Sequence, residues 1–224
     1  MSSPRIFLFH ATLVAMEPIR AAMQTLWPEA QAVNILDESL SVDRALGPSE
    51  LSEDITRRFV ALGRQAVNGG ADGLLITCSA FGPAIRRLAV EVSIPVLMPN
   101  EAMFRAALSH GSKIGMVATF APAIATMEDE FAEFASETGS LATLETVLAQ
   151  GAIESLRRGD VADHNRRVAE VAGNFAGLDA LMLAHFSTSR AAQAVRDVVD
   201  IPVLTAPEAA VARMRALIEG TTPC

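Results

Sequence analysis

The fold is decided by two stretches of sequence, DGLLITCSAFGPAIRRLAVEVSIPVLMPNEA (residues 72–102) and DALMLAHFSTSRAAQAVRDVVDIPVLTAPEA (residues 179–209). They align without a gap at a shift of 107 residues, and ten of the 31 aligned pairs are identical. Unrelated windows of this composition would share roughly two or three identities, so the match indicates an internal repeat. Both stretches contain an Ile-Pro-Val-Leu run, at 94–97 and at 201–204.

Short apolar runs alternate with longer segments of helical periodicity along the whole chain, which is typical of βα units and a parallel sheet. Strands are predicted at Arg5–His10, Gln31–Leu36, Gly73–Thr77, Pro95–Met98, Lys113–Ala118, Leu144–Ala149, Ala180–Ala184 and Pro202–Thr205. Helices are predicted up to Asn68 and at Pro83–Val92, Glu101–Ser109, Pro122–Glu137, Asp163–Phe175, Ser189–Val199 and Glu208–Glu219. The fold class is therefore α/β.

The repeat predicts two pseudo-symmetric lobes, each with a four-stranded parallel sheet flanked by helices. We expect residues 1–98 with 206–224 in the first lobe and residues 99–205 in the second. Ligands of open α/β sheets bind beyond the carboxyl ends of the strands, so we expect the active site in a crevice between the lobes. Cys78 and His185 lie at matched positions just past their strands.

Composition excludes several classes of partner. The 224-residue chain carries a formal charge of −8, whereas nucleic-acid binding calls for a basic face. No run reaches the ~18 apolar residues of a membrane span. Two cysteines, Cys78 and Cys224, cannot form a disulfide framework, so we predict a cytoplasmic protein. A mean hydropathy of +0.31 favours a homo-oligomer.

Motifs for cofactor chemistry are missing from the sequence. It contains no glycine-rich dinucleotide fingerprint, Walker loop, nucleophile elbow or Cys-x-x-Cys. Its four histidines have no metal-ligand spacing. Lys113 is the single lysine and starts a predicted strand, at the end opposite the crevice, so it is badly placed for a Schiff base. We therefore expect no cofactor and no metal.

Four segments together resemble the aspartate/glutamate/hydantoin racemase superfamily, which includes arylmalonate decarboxylase and maleate isomerase. They are Leu75–Ala80, Ile94–Leu97 with Glu101-Ala102, Ile114–Thr119 and Leu181–His185. The resemblance covers nearly the whole chain in order. It implies two flavodoxin-like lobes, an active site between them and no cofactor.

Racemases of this superfamily place one cysteine after the third strand of each lobe, on the two sides of the substrate α-carbon, while threonines and backbone amides hold its carboxylate. By resemblance, Cys78 matches the first cysteine. His185 occupies the second cysteine position, which departs from the two-thiol pattern. Thr119 matches the threonine of the second lobe, and the repeat gives Thr12 as its partner.

The residues themselves leave alternatives open. Cys78 precedes a predicted helix start, where backbone amides favour a thiolate, but many cysteines are only small buried hydrophobes. His185 titrates near neutrality, although a strand-end histidine is often structural. The candidates for substrate binding are His10, Thr12, Ser79, Ala80, Asn100, Thr119, Phe120, Phe186 and Ser187. Their hydroxyls suit a carboxylate but also suit helix N-caps.

Three further expectations concern neighbouring side chains. His110 and His164 are interpreted as lying on solvated helix faces. Phe81 is expected in the crevice lining with Phe120 and Phe186. No arginine clamp for a carboxylate is evident.

The leading hypothesis is a cofactor-independent racemase or epimerase that moves a proton at the carbon next to a carboxylate. Cys78 acts on one face and His185 on the other, or His185 polarises the substrate. The alternatives are a one-sided decarboxylase or cis–trans isomerase of the same superfamily, and a non-catalytic module that binds a small carboxylate.

Overall fold

The computed structural model describes residues 3–47 and 50–221, with Pro122 described by its backbone only. Cys224 and the last residues of the expected first lobe lie outside these ranges. The strands are β1 (Arg5–His10), β2 (Gln31–Leu36), β3 (Gly73–Ile76), β4 (Val96–Leu97), β5 (Lys113–Ala118), β6 (Thr143–Leu148), β7 (Ala180–Leu183) and β8 (Val203–Thr205).

The helices of the first half are α1 (Met16–Leu26), α2 (Glu38–Leu46), α3 (Glu53–Asn68), α4 (Gly82–Glu91) and α5 (Glu101–His110). Those of the second half are α6 (Ile124–Glu137), α7 (Ala152–Arg157), α8 (Val161–Ala172), α9 (His185–Thr188), α10 (Ala192–Arg196) and α11 (Ala206–Glu219). Short 3-10 turns precede α1, α4, α6 and α10. Within the described ranges, no helix is both long and apolar enough to cross a membrane.

The chain divides into two compact units, residues 1–100 with 210–224 (the first unit) and residues 101–209 (the second unit). Each contains one four-stranded parallel sheet, in the order β2-β1-β3-β4 in the first unit and β6-β5-β7-β8 in the second. In each sheet the first and third strands in chain order lie side by side, β1 with β3 and β5 with β7. The second and fourth strands lie on opposite sides of this pair, so the direction in which strands are added reverses there. Ligands of such sheets bind at the carboxyl ends of the strands at this point.

The strand register confirms the repeat and corrects one part of it. Leu74 pairs with Val96 and Leu181 with Val203, a uniform shift of 107 residues. The first strands are shifted by 108, however, because Phe9 lies opposite Ile76 whereas Val117 lies opposite Leu183. Ala11 is therefore the structural counterpart of Thr119, and the expected pairing of Thr119 with Thr12 is wrong by one residue.

One aspartate of the repeat stabilises the start of each sheet. A carboxylate oxygen of Asp72 accepts the backbone N–H of Arg5 at 2.8 Å. In the second unit, Asp179 accepts the backbone N–H groups of Ser112 and Lys113, both at 2.8 Å. These two bonds, Lys113 first, lower the pKa of the Asp179 carboxyl group. The identity of the two aspartates in the repeat thus has a structural cause.

The core of the first unit is a stack of aromatic rings between its sheet and helix α3. The rings of Phe9 and Phe59 lie 4.4 Å apart between centroids, and Phe59 and Phe81 lie 5.4 Å apart. Phe81 is wholly buried, so its expected place in a substrate crevice is wrong and it belongs to the core. Gly63 lets α3 approach α4, since a Cβ there would lie 2.2 Å from a methyl carbon of Leu88.

Four helices, α1, α2, α7 and α9, were not predicted, and one predicted helix is interrupted. The segment predicted as a single helix at Ser189–Val199 is a 3-10 turn at Ser189–Ala191 followed by the short helix α10. Helix α2 buries only Leu40, so it lacks the strong apolar period that reveals a helix. Helix α1 does have an apolar face, formed by Pro18, Ile19, Ala22 and Met23, which the sequence analysis missed.

Candidate active site

The thiol of Cys78 lies at the carboxyl edge of the first sheet. Cys78 is the second residue after β3, with extended backbone (φ −133°, ψ 118°), and it immediately precedes the 3-10 turn Ser79–Phe81. That turn leads directly into α4. Cys78 and Ser79 are half-buried, while Ala80 is exposed. The segment is therefore accessible at the start of a helix.

The imidazole of His185 lies at the matching edge of the second sheet. His185 is the second residue after β7 and begins the short helix α9. In the described part of the chain it is the one residue other than glycine with positive φ, at 66°. Histidine adopts the left-handed region at a cost of order 1 kcal/mol, and residues with backbone strain of this kind cluster at functional sites.

The surroundings of His185 favour the neutral form of its ring. Its Nε2 atom is buried, and no described group forms a hydrogen bond with it. Burial lowers the pKa of His185 from its usual 6.5. A neutral imidazole with an uncommitted nitrogen can accept a proton, or donate one in the other tautomer.

Cys78 and His185 occupy matched positions in the repeat, but their backbone conformations differ. Cys78 continues the extended direction of β3, whereas His185 turns immediately into the left-handed region. The backbone therefore takes a different course after each of these strands. The repeat predicts the position of the two groups but not this difference.

His10, the last residue of β1, is fully buried below the Cys78 segment. Its Nδ1 lies 3.0 Å from Thr77 Oγ1 and its Nε2 lies 3.0 Å from Asn34 Oδ1. Burial lowers the pKa of His10, and the bond to Asn34 partly opposes this. Both ring nitrogens are engaged, so a contact between His10 and a substrate would require one of these bonds to break.

The candidate hydroxyl groups differ in accessibility. Thr12 and Ser187 are half-buried, and the Thr12 side chain does not cap the turn that follows it. Thr119 is buried, and its Oγ1 lies 3.2 Å from Thr188 Oγ1. Asn100 follows β4 and is buried, as is Phe186 on α9. The half-buried hydroxyls are thus the ones that a ligand can reach without rearrangement.

An arginine that the sequence analysis missed lies at the same edge of the second sheet. Phe120 follows β5 and is 40% exposed. The guanidinium carbon of Arg157, at the end of α7, lies 5.8 Å from the Phe120 ring centroid. A cation stacked on an aromatic face is typical of a cation–π contact. Nothing in the sequence signals it, because the two residues are 37 positions apart.

Other expectations concern residues away from these edges. His164 is fully buried on α8, so its expected position on a solvated face is wrong. Burial lowers its pKa, Asn165 opposes this through a hydrogen bond, and the charge of Arg190 adds to the lowering. Lys113 is exposed at the amino end of β5, as predicted. Among the described residues, no three His, Cys, Asp or Glu side chains cluster as metal ligands.

The structure thus gathers the candidates into two groups. In the first unit, Cys78, Ser79 and Ala80 follow β3, with His10 and Thr12 at the end of the neighbouring β1 and Asn100 beyond β4. In the second unit, Thr119 and Phe120 follow β5, beside His185, Phe186 and Ser187 after β7. Each group lies at the carboxyl ends of adjacent strands, where α/β proteins bind ligands.

Comparison with known proteins places this arrangement in a family. A family model described as Asp/Glu/hydantoin racemase matches residues 9–176. The chain belongs to this family. No curated protein matches its sequence.

Solved structures share the fold of this racemase family member at low sequence identity. Allantoin racemase from Klebsiella pneumoniae has a TM-score of 0.72 and 18% identity, over 99% of this chain and 91% of that one. Aspartate racemase from Picrophilus torridus has a TM-score of 0.70 and 14% identity, over 97% and 95%. Glutamate racemase from Francisella tularensis, solved with D-glutamate, has a TM-score of 0.68 and 14% identity, over 98% and 82%. Family and fold together support a racemase or epimerase type of function.

Proposed function

We propose that this chain is a cofactor-independent racemase or epimerase that transfers a proton at the carbon next to a carboxylate. Cys78 and His185 serve the two faces of that carbon. The observation that carries the proposal is their common position, two residues past the end of strands β3 and β7, which have the same register in the two sheets.

The protonation states favour a particular division of roles. Because burial lowers the pKa of His185, its neutral form predominates at neutral pH. We assign the role of proton donor to the thiol form of Cys78. In one direction, the His185 imidazole takes the α-proton and the Cys78 S–H donates a proton to the opposite face. The product state holds an imidazolium and a thiolate, and these run the reverse direction. One proton is shared between the two groups throughout, so the atoms and charges balance.

The substrate is proposed to be a small carboxylate. The Francisella tularensis glutamate racemase was solved in complex with such a molecule, D-glutamate. Accessible groups would contact it: the hydroxyls of Thr12, Ser79 and Ser187, the backbone at Ala80, and the ring of Phe120. The buried candidates His10, Asn100, Thr119 and Phe186 would support these from behind. Hydrogen-bond donors aimed at the enolate-like oxygens would supply much of the stabilisation of the transition state.

The test is solvent-deuterium exchange at the α-carbon of a panel of carboxylic acids, followed by NMR together with optical rotation. The background is Cys224→Ser, which leaves Cys78 as the single thiol. Cys78→Ser should abolish inversion and leave exchange only in the enantiomer whose α-proton His185 removes. His185→Asn, chosen because asparagine tolerates positive φ, should likewise abolish inversion. The exposed His110→Gln is the matched control and should behave as the parent protein.

Each other outcome identifies an alternative. Exchange without inversion, or loss of CO₂ followed by protonation from Cys78, would replace racemization by a one-sided decarboxylase reaction. Interconversion of a cis and a trans acid would make the chain an isomerase of unsaturated acids. Binding of a carboxylate with no exchange, and an unreactive Cys78 thiol, would leave only a binding module. Full activity in Cys78→Ser would refute the mechanism outright.

A further inference from the structure

A buried hydrogen-bonded chain lies directly behind the Cys78 segment. It runs from Asn34 on β2 through His10 on β1 to Thr77, the residue between β3 and Cys78. Both distances to the His10 ring are 3.0 Å, and His10 has no exposed surface. These three residues are called the His10 relay below.

The hydrogen-bonding chemistry of the three side chains determines which atoms of the His10 relay carry protons. Asn34 presents its carbonyl oxygen, which only accepts, so His10 Nε2 carries a proton. In the neutral ring, Nδ1 is then an acceptor, and the single proton of the Thr77 hydroxyl is shared between Nδ1, at 3.0 Å, and Phe9 O on β1, at 3.3 Å. The backbone N–H of Thr77 donates to Phe9 O at 3.1 Å. Thr77 is therefore held to β1 by both its backbone and its side chain.

The second unit provides an internal comparison. The register places Ala118 where the first unit has His10, and Thr146 where it has Asn34. Ala184 stands where it has Thr77. No relay can form from these side chains, and the Thr146 hydroxyl is buried without a described hydrogen-bond partner. The same sheet forms in both units, so the fold does not require the relay.

The backbone after the third strand differs between the units in the way that the relay would explain. In the first unit, where Thr77 is tied down, the next residue Cys78 stays extended (φ −133°). In the second unit, Ala184 keeps the equivalent backbone bond, to Val117 O at 2.9 Å, but has no side-chain tie, and the next residue His185 enters the left-handed region (φ 66°). The unit that carries the thiol is the unit that carries the relay.

We infer that His10 is a positioning residue that acts through Thr77 to hold Cys78 in its extended conformation. The catalytic consequence rests on the proposed function of Cys78, whereas the effect on the orientation of the thiol does not. Small displacements of a reacting group cost up to about a hundredfold in rate, so the relay should affect turnover much more than substrate binding.

The experiment compares four variants in the Cys224→Ser background. Thr77→Val removes the hydroxyl at nearly constant volume, and His10→Ala removes the ring. His10→Asn keeps an acceptor near the position of Nδ1 but loses the contact with Asn34. Thr146→Val is the matched control, since Thr146 is the counterpart of Asn34 and its hydroxyl has no described partner. Readouts are kcat, KM, the rate of Cys78 alkylation by iodoacetamide, and Tm.

We expect Thr77→Val and His10→Ala to lower kcat at least about tenfold with KM changed less than about threefold, and to change the alkylation rate of Cys78. His10→Asn should restore most of the parent kcat and most of the parent alkylation rate. Thr146→Val should match the parent protein. If His10→Ala does not fold, Thr77→Val decides the question, because it keeps the core filled.

Two results would overturn the inference. One is an unchanged kcat and alkylation rate in Thr77→Val. The other is a loss in His10→Ala that His10→Asn does not restore and that follows Tm alone, which is what a purely structural role predicts. If the parent protein shows no exchange, the proposed function fails, but the alkylation rates still report on the relay.

Discussion

The hydroxyl oxygens of Thr119 and Thr188 lie 3.2 Å apart in the buried interior of the second unit. At the same register, the first unit has Ala11 and Phe81, which cannot form this bond. The His10 relay and the threonine pair therefore occupy opposite units. The first unit thus has the His10 relay under its carboxyl edge and the second unit has the threonine pair, and the two arrangements differ in chemistry.

Thr188→Val should destabilise the protein by about 1–2 kcal/mol, because it leaves the buried Thr119 hydroxyl without a partner. The double variant Thr119→Val/Thr188→Val should lose less than the sum of the two single variants, since it leaves no unpaired group. Urea unfolding with a common m-value would measure both effects. Strictly additive losses would show that the two hydroxyls do not interact.

Stability should fall as the pH drops below about 6.5, the value near which unfolded histidines titrate. Burial lowers the pKa values of His10, His164 and His185 in the folded chain. Between the folded and unfolded pKa values, the unfolded state therefore binds more protons, and the free energy of unfolding rises with pH. Above 6.5 the contribution is fully present.

A variant and a control make this prediction specific. His164→Leu keeps the buried volume on α8 and removes one titrating ring, so the decline in stability between about pH 7 and pH 5 should become shallower. The control Gly173→Ala replaces no titrating group and should leave the decline unchanged. Urea titrations at several pH values test both variants. A decline as steep in His164→Leu as in the parent protein would contradict the assignment.

The sequence predicted the strands well because their apolar runs and the gap-free repeat are local signals. All eight predicted strands lie within one residue of the observed bounds at each end, and Arg5–His10, Gln31–Leu36 and Lys113–Ala118 match to the residue. The sequence did not reveal that β1 and β5 are related by a shift of 108 residues instead of 107. The repeat is strong only over residues 72–102, and strand pairing is what reveals the extra residue.

Burial of individual side chains was harder to predict than the strands. His164 stands between Asp163 and Asn165 and is followed by Arg166, so its neighbours indicate a solvated face. It is nevertheless buried, because α8 packs against α10. The contact between Phe120 and Arg157 and the bonds of His10 to Asn34 and Thr77 depend on tertiary structure alone.

The close approach of α3 to α4 gives a stability prediction. At Gly63, an added methyl group would lie 2.2 Å from Leu88 Cδ2, so Gly63→Ala should cost about 1–3 kcal/mol through overpacking. Gly173, at the end of α8, has φ −65° and no atom within 3.6 Å of the same position. Gly173→Ala should therefore be neutral or slightly stabilising. Equal Tm values for the two variants would show that Leu88 moves aside without cost.

The left-handed backbone of His185 allows its strain to be separated from its chemistry. Glycine adopts φ near 66° freely, whereas alanine does not, so His185→Gly should be more stable than His185→Ala by about 1 kcal/mol. Both variants lack the imidazole and should lose inversion of the substrate equally. Added imidazole should restore part of the activity in His185→Gly, where the ring leaves an open space. If the two variants unfold at the same urea concentration, His185 is not strained, and if both retain inversion, the imidazole is not the second proton carrier.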